Sequence, residues 1–364
     1  MLKQNPFTPS FGSVPPLFID KQANVADLID ELRNGQPQSY FITGVRGCGK
    51  SSYMNKVVNT LKQDNDCVCV AIANTDGLLT SLARKLYRAN HRKMSKLFDV
   101  FDSVSIDKLA LTRSHELLNV EDMLEELMIS FQKQNKHVII AIDDVSNDDP
   151  IRTFAKEYNL LKGAGYPIYV VMTGLPELVH GVQNNDALTF LLRSTEIEMH
   201  PLNEQAIVDA YQSVFDDYEV AAKLAQLSGG YSYGFQLLGD LYFKYLKKNK
   251  CEPNVNLIKE VLYEYQDMLY RNAYQKIFMS ISEMDQQYLF TVKDHLHLAE
   301  ASRRLGKTLN YVSQYRRRMI DRNIVQHSSY GQVWFVLPFF DAYLDETQNP
   351  DSRYYNPLEI PSGK

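Results

Sequence analysis

One short stretch constrains this chain more than any other feature of its 364 residues. Residues 44–51 fit the pattern G-x-x-x-x-G-K-[ST] at every fixed position, which is the pattern of a phosphate-binding loop in nucleoside triphosphatases. The glycines allow successive N–H groups to turn toward a phosphate, at the start of a helix whose dipole favours negative charge. The residues expected to bind nucleotide are Gly44, Val45, Arg46, Gly47, Cys48, Gly49, Lys50, Ser51 and Ser52.

The flanks of this loop have the character that the motif requires. Residues 39–43 form a short apolar strand, and apolar side chains recur at helical spacing between residues 51 and 63. We expect Lys50 to reach the β- and γ-phosphates of ATP and the Ser51 hydroxyl to coordinate Mg²⁺. The alternative is a glycine-rich turn that matches the motif by chance. Such a turn would not need a strand before it and a helix after it.

A second apolar run, residues 138–142, ends in two aspartates. A continuous apolar run is typical of a parallel strand that is covered on both faces. We expect Asp143 to ligate Mg²⁺, through water, and Asp144 to orient the attacking water as a base. The alternative is that the two aspartates only begin a polar turn, because an Asn-Asp-Asp-Pro stretch follows at residues 147–150.

Two single residues complete the catalytic candidates. Thr173 ends another apolar strand, and its hydroxyl is expected to hydrogen-bond the γ-phosphate or the attacking water; the alternative is a turn residue. Arg193 directly precedes the last strand and is a candidate arginine finger, reaching the γ-phosphate of a neighbouring subunit in a homo-oligomer. A solvated arginine is the alternative there, and Arg46 is a weaker rival for a phosphate contact.

The rest of the N-terminal half has the pattern of an α/β domain. Apolar strands alternate with helix-length segments, which predicts a parallel sheet with right-handed crossovers. Asn119 has the position of an N-cap for a helix over residues 120–134, and residues 101–106 are a candidate for an extra strand. The other predicted strands are residues 68–73, 168–173 and 195–199.

Composition excludes several classes of protein. A net charge of −5 excludes a uniformly basic nucleic-acid-binding protein. We find no signal segment and no apolar run near the roughly 18 residues of a membrane span, so we expect a cytoplasmic protein without a membrane partner. The four cysteines lack the spacing of a metal site, and Cys67 and Cys69, on one face of a strand, are expected to be structural.

Together these motifs resemble an AAA+ P-loop ATPase of the Orc/Cdc-like or STAND-like branch, including bacterial ATP-binding proteins with an Orc-like ATPase domain. The matching pieces are the phosphate loop, Ile-Asp-Asp at 142–144, Met-Thr-Gly-Leu-Pro-Glu at 172–177, Phe-Leu-Leu-Arg-Ser at 190–194 and the Asn-Pro-Phe-Thr-Pro opening at 5–9. The resemblance spans residues 5–245. It implies a sheet order 5-1-4-3-2, an ATP site covered by a small helical lid, and adenine near residues 17–24.

Two departures from the family pattern bear on activity. The acid pair is Asp143-Asp144 where Asp-Glu is usual, and the shorter second side chain predicts slow hydrolysis. Residues 228–238, at the place of the second sensor in the lid, lack the arginine that many AAA+ proteins carry there.

The C-terminal third predicts three helices and a β-hairpin, the order of a winged helix-turn-helix. Residues 285–340 contain eight Lys/Arg and four Asp/Glu, a charge asymmetry typical of a module that faces DNA. The third helix, from residue 308 to about residue 322, places polar side chains opposite its apolar face. The residues expected to contact double-stranded DNA are Asn310, Ser313, Gln314, Arg316, Arg317 and Arg318.

The sequence therefore predicts a P-loop ATPase domain at residues 1–202, a helical lid at 203–275, a winged helix-turn-helix at 276–345 and a tail at 346–364. The first functional hypothesis is a Mg²⁺-dependent ATPase that couples its nucleotide state to DNA binding or assembly. The alternative is a STAND-type signalling or defence switch. In that case the winged helix is a packing or protein-interaction domain, and the basic face of its third helix is buried.

Overall fold

The computed structural model describes residues 4–10, 12–19, 25–36, 38–90, 119–294, 297–327 and 332–358. The chain divides into two units. The sheet unit comprises residues 23–43 and 53–198, and the lid unit comprises residues 1–22, 44–52 and 199–364. The strand candidate at residues 101–106 lies outside the described residues.

The sheet unit is a five-stranded parallel sheet with helices between its strands. Its elements are α1 (Val25–Asn34), β1 (Ser39–Thr43), α2 (Lys50–Leu61), β2 (Cys67–Ala73), α3 (Leu78–Ala89), α4 (Val120–Lys133), β3 (His137–Asp143), α5 (Asp149–Gly163), β4 (Ile168–Gly174), α6 (Pro176–Gln183), a 3₁₀ helix (Asp186–Arg193) and β5 (Thr195–Glu198). The first three residues of α2 belong to the lid unit.

The strand order is β2-β3-β4-β1-β5, with parallel pairing throughout. This confirms the order that the resemblance implied. Strands β1 and β4 are buried along their whole length, which explains their continuous apolar sequences. The edge strand β5 is mostly exposed, and its Thr-Glu-Ile-Glu sequence is correspondingly polar.

Local signals in the sequence define where two of these helices begin. The Asn119 side chain accepts a hydrogen bond from the Asp122 N–H at 2.7 Å, as the N-cap prediction requires. Asp148 caps α5 in the same way, through the Ile151 N–H at 3.0 Å. The apolar faces of α3, α4 and α5 pack with the sheet into one core.

The lid unit is mainly helical. Its elements are α7 (Glu204–Phe215), α8 (Tyr218–Ser228), α9 (Ser232–Asn249), a 3₁₀ turn (Val255–Leu257), α10 (Lys259–Leu269), a π-helical turn (Tyr270–Tyr274), α11 (Gln275–Met279), α12 (Glu283–Val292), α13 (Leu298–Leu305), α14 (Leu309–Asp321), β6 (Val325–His327), β7 (Val333–Phe335) and α15 (Phe340–Gln348). Helices α12 to α14 and the antiparallel pair β6-β7 have the order of a winged helix-turn-helix.

The N-terminal segment is part of the lid unit because Phe7 anchors it there. The Phe7 ring is buried against the rings of Tyr211, Phe215 and Phe235. It lies so close to Gly239 that a Cβ at this position would be 2.5 Å from the ring. Helix α9 therefore needs a glycine here to accept the N-terminal segment.

The residues that follow the wing also pack against the rest of the lid unit. Helix α15, which the sequence analysis did not predict, follows β7 directly. Within the segment expected to be a tail, the Tyr354 hydroxyl donates to Asp267 Oδ1 at 2.8 Å and the Tyr354 ring contacts Tyr270 and Tyr343. In the part of the chain that the structure describes, no helix combines the length and the apolar character needed to cross a membrane.

Candidate functional site

The phosphate loop follows β1 directly in the chain and leads into α2. Gly44, Gly47 and Gly49 have φ of +147°, +80° and +97°, conformations that side chains disfavour. The backbone therefore requires glycine at the two fixed positions of the motif, 44 and 49, and also at the variable position 47. The Cys48 N–H closes a turn onto the Val45 carbonyl at 3.2 Å. The loop is therefore a defined turn.

Lys50 folds back over the loop that precedes it. Its ammonium donates to the carbonyls of Gly44 at 2.8 Å and Val45 at 3.1 Å. An ammonium has three donors, so two bonds to the loop leave one for another acceptor. This geometry suits the phosphate contact expected of Lys50.

The start of helix α9 supplies hydrogen-bond donors to three consecutive carbonyls of the loop. The Tyr231 hydroxyl donates to the Arg46 carbonyl at 2.8 Å. The Tyr233 N–H donates to the Gly47 carbonyl at 3.0 Å, and the Ser232 hydroxyl donates to the Cys48 carbonyl at 2.9 Å. We call residues 231–233 the donor triad.

Sequence reasoning missed the donor triad. It identified the segment as the place of the second sensor but registered only the missing arginine. The aromatic and polar composition of this glycine-flanked segment was the available signal, since a tyrosine hydroxyl that is buried usually has a hydrogen-bond partner. Burial raises the pKa of Tyr231 well above its ordinary value, so the hydroxyl stays protonated and remains a donor.

Ser52 behaves differently from the nucleotide contact expected of it. Its hydroxyl donates to the carbonyl of Ser13 at 2.8 Å, in the N-terminal segment. The single hydroxyl donor of Ser52 is thus committed to the protein, which leaves the backbone N–H for a nucleotide contact. The same N-terminal segment is tied to α9 where Gln236 accepts from the Thr8 N–H at 2.8 Å and donates to the Leu17 carbonyl at 2.9 Å.

Three candidate residues of the sheet unit meet at the carboxyl ends of the neighbouring strands β3 and β4. The fully buried Thr173 hydroxyl donates to the Asp143 carboxylate and accepts from the Asp144 N–H, the latter at 3.1 Å. A hydroxyl has a single donor, and this one is directed to Asp143. Thr173 therefore holds Asp143 in place here, whereas the sequence analysis expected its hydroxyl to contact phosphate or water.

Asp144 has a left-handed backbone conformation and an exposed side chain. After it the chain turns back, and Asp148 holds that turn through hydrogen bonds from the side chains of Asn74 and Ser146. Burial opposes ionisation of Asp148, but the bonds from Ser146, the Ile151 N–H and Asn74 outweigh it and lower its pKa. The two interpretations of this segment are therefore compatible, because β3 ends in a carboxylate and a polar turn follows it.

Arg193 ends the 3₁₀ helix before β5 and is exposed, next to the exposed Leu192. Burial and the charge of Arg193 together lower the pKa of Lys162. The arginine thus lies on the surface of the sheet unit, beside a second basic residue. Exposure is necessary for a contact with a neighbouring subunit, and it is equally compatible with a solvated arginine.

The DNA-contact candidates lie on or beside the exposed face of α14. Asn310, Ser313, Gln314 and Arg317 are exposed, and Arg316 is half-buried. Arg318 differs from the others because its guanidinium binds the buried Asp285, with 3.0 Å from Nε to Oδ1, and lies over the Tyr315 ring at 4.8 Å. This position holds α14 against α12, so Arg318 has a structural role that the sequence analysis did not assign.

Comparison with known proteins agrees with this geometry. Residues 18–164 match the sequence model of a family described as an ATPase domain predominantly from Archaea. Residues 271–344 match that of a domain of unknown function (DUF8462). No curated protein matches the chain in sequence.

Solved structures are similar over nearly the whole chain. The ORC2 protein of Aeropyrum pernix in its ADPNP-ADP complexes gives a TM-score of 0.60 at 8% identity, covering 93% of this chain and 96% of that one. Its ADP form gives a TM-score of 0.51 at 10% identity, covering 90% of this chain and 96% of that one. Cdc6p from Pyrobaculum aerophilum gives a TM-score of 0.49 at 12% identity, covering 93% of this chain and 96% of that one.

At these identities the ORC2 structures show similarity of fold, and the family match independently identifies an ATPase domain over residues 18–164. The parallel sheet, its strand order and the helices that follow it agree with both. This chain has the fold of an Orc/Cdc-like AAA+ P-loop ATPase.

Proposed function

We propose that this protein is a Mg²⁺-dependent ATPase that couples its nucleotide state to the binding of double-stranded DNA through the winged helix. The observation that carries the proposal is a short path of contacts, within the lid unit, between the phosphate loop and the wing. Its first member, Tyr231, donates to the Arg46 carbonyl of the loop. Its second member, Tyr274, donates to the Pro338 carbonyl at 2.6 Å, just after β7.

The two tyrosines contact each other, since their ring centroids are 6.3 Å apart. Tyr274 also packs edge-on against Phe340 and Tyr343 of α15. It lies in the π-helical turn, an irregularity that is frequent at functional sites in helices. A change at the loop carbonyls would therefore reach the wing through two side chains.

Nucleotide binding rests on the loop geometry and on the family match. Gly47, Gly49 and the first turn of α2 would direct their N–H groups to the phosphates, and Lys50 would add its ammonium. The similar ORC2 structures are of ADPNP-ADP and ADP complexes, which supports an adenine nucleotide here.

Magnesium would be held by Ser51 and Asp143. The donor set fits this hard cation, because both side chains offer oxygen and Thr173 already holds the Asp143 carboxylate. When bound, Mg²⁺ neutralises charge that develops on the phosphates. Asp144, exposed and one methylene shorter than the usual glutamate, would orient the attacking water, which is why we expect slow turnover.

DNA binding is supported by the exposed polar face of α14, formed by residues such as Asn310, Gln314 and Arg317. Amide side chains and arginine are the groups that read base edges in a major groove. The chemistry of these side chains is why we favour DNA over a packing or protein-interaction role for the winged helix.

The test is a set of duplex-binding titrations by fluorescence anisotropy, without nucleotide, with ADP and with ADPNP, at increasing salt. We expect affinity that falls with salt and differs between ADP and ADPNP. Arg317→Ala should weaken binding about five- to fiftyfold, as expected for an arginine that contacts a base. Arg88→Ala, an exposed arginine on α3, is the matched control.

Two results would remove this proposal. One is the absence of duplex binding at low salt in all three nucleotide states. The other is equal loss of affinity in the Arg317 and Arg88 variants, which would indicate a general charge effect with no role for α14.

Assembly is a separate part of the proposal. The exposed Arg193 and the exposed leucines Leu160 and Leu192 all lie on α5 and the 3₁₀ helix, two elements in mutual contact. An arginine beside exposed apolar side chains suits a contact between copies of the chain, with Arg193 acting in trans on a neighbour's γ-phosphate. Sedimentation with ADPNP, for the protein and its Arg193→Ala variant, tests this.

A further inference from the structure

We propose that Tyr231, Ser232 and Tyr233, the donor triad, are positioning residues that orient the phosphate loop for phosphate binding. This inference rests on the proposed nucleotide binding and adds a role for the lid in it. The triad holds three successive carbonyls of the loop, those of Arg46, Gly47 and Cys48. The donors are of three different kinds, a phenol, a backbone N–H and an aliphatic hydroxyl.

The effect on the loop follows from peptide geometry. In a trans peptide the carbonyl of one residue and the N–H of the next point in opposite directions. Three carbonyls that are anchored on the lid therefore turn the N–H groups of Gly47, Cys48 and Gly49 away from it. The Cys48 N–H closes the turn onto Val45, so the Gly47 and Gly49 N–H groups are the ones directed outward for a ligand.

Gly47 makes the contact possible. A Cβ at this position would be 2.1 Å from the Tyr231 hydroxyl oxygen, a distance that no side chain tolerates. Gly47, at a variable position of the motif, is thus needed twice, for its positive φ and for the approach of the lid. Tyr231 itself is only 3% exposed, so its hydroxyl has a fixed direction and cannot exchange the loop carbonyl for solvent.

The mechanism differs from that of an arginine in the same part of the lid. A guanidinium adds positive charge and a direct contact to the phosphates, so its contribution would depend on how many phosphates are present. The donor triad adds no charge and contacts only the protein. Its contribution should be equal for ADP and ATP, and it should vanish for a ligand without phosphates.

The experiment compares Tyr231→Phe with Tyr242→Phe. The first variant removes the hydroxyl that holds the Arg46 carbonyl. The second removes a hydroxyl of helix α9 that donates to the Asn254 carbonyl at 2.9 Å and belongs to neither the triad nor the loop. The readouts are affinities for ADP and ATP in magnesium buffer by calorimetry, affinity for adenosine by competition, and thermal unfolding without ligand.

We expect Tyr231→Phe to weaken ADP and ATP by the same factor, about three- to tenfold, the effect of one hydrogen bond. Adenosine affinity should not change, and Tyr242→Phe should bind all three ligands like the unmodified protein. Ser232→Ala should repeat the pattern at the Cys48 carbonyl. Because Ser232 is only half-buried, this variant provides the test should Tyr231→Phe fail to fold.

Three results would overturn the inference. Unchanged ADP and ATP affinity in Tyr231→Phe and Ser232→Ala would show that the loop does not need the triad. An equal loss for adenosine would indicate general lid packing, and a loss for ATP alone would indicate a direct γ-phosphate contact. If the unmodified protein binds neither ADP nor ATP, the proposed function fails first, and this inference fails with it.

Discussion

The phosphate loop and the acidic ends of the strands are both sites where polar groups need a fixed orientation, but they obtain it in different ways. Loop carbonyls are held by residues far away in sequence, with 185 positions separating Arg46 from Tyr231. The Asp143 carboxylate is held by Thr173, 30 positions away on the adjacent strand. The loop carbonyls thus have partners in the lid, and the carboxylate has a partner on the adjacent strand of the sheet.

This difference predicts that nucleotide affinity and the rate of hydrolysis can be changed independently of each other. A change in the lid should alter how the loop binds phosphates and leave the strand ends unaffected. A change at the strand ends should alter hydrolysis and leave nucleotide affinity nearly unaffected. The first two predictions below test this separation and the third tests the polar turn that follows β3, in order from the largest expected effect to the smallest.

Lys50→Ala should lower ATP affinity at least about a hundredfold, because two or more charge-assisted hydrogen bonds are lost at the loop. Calorimetry in magnesium buffer measures the effect. The matched control is Lys56→Ala, an exposed lysine two turns along α2, which should bind ATP normally. If Lys50→Ala still binds ATP like the unmodified protein, the phosphate contact proposed for Lys50 is wrong.

Thr173→Val should lower the rate of ATP hydrolysis about ten- to hundredfold, as expected when the hydrogen-bond partner of a metal ligand is removed. The dissociation constant for ADP should change less than the rate. Single-turnover hydrolysis and ADP titration provide the two readouts.

Thr43→Val is the control for this prediction, because its buried hydroxyl, at the end of β1, donates to Glu196 at 2.9 Å. If both threonine variants lose the same factor in rate, the bond to Asp143 is not what matters. A larger loss of ADP affinity than of rate would break the proposed separation between loop and strand ends.

Asp148→Ala should lower the free energy of unfolding by about 1 kcal/mol at neutral pH, the usual effect of losing an N-cap. Because the folded pKa of Asp148 is lowered, its carboxylate stabilises the fold above the unfolded pKa, and this stabilisation is lost as pH falls through the folded pKa. Urea unfolding from pH 7 to pH 3 should show the two proteins converging in acid.

Asp149→Ala provides the control for this measurement, since Asp149 is exposed and pairs with the neighbouring Arg152 at the helix surface. We expect it to change stability by less than half as much. A constant difference between Asp148→Ala and the unmodified protein at every pH would contradict the role of the carboxylate.

Much of the sheet unit could be predicted because its signals are local. The β1 strand was predicted with the bounds that the structure shows, and the Asn119 cap was also correct. Each depends on a pattern within a few residues, such as an apolar run or a capping side chain. The strand order was supplied by the family resemblance, since spacing alone does not determine it.

Other features could not be predicted because they depend on partners that are distant in sequence. Nothing in the sequence near Arg318 indicates that its guanidinium forms an ion pair with Asp285, 33 residues earlier. Helix α15 was missed because its weak amphipathic pattern gains stability from aromatic rings of the π-helical turn, such as Tyr270 and Tyr274. Single hydrogen bonds and ring contacts leave no periodic trace in a sequence.

By itself the sequence determined that this chain has a loop of the phosphate-binding pattern between a strand and a helix, because the motif fixes Gly44 and Gly49 where the backbone has positive φ. It also determined a parallel sheet, through continuous apolar strands that must be buried on both faces. Only the tertiary structure decided what orients these groups, namely the donor triad for the loop and Thr173 for Asp143. The physical reason is that a hydrogen bond depends on distance in space, which a chain sets only when it folds.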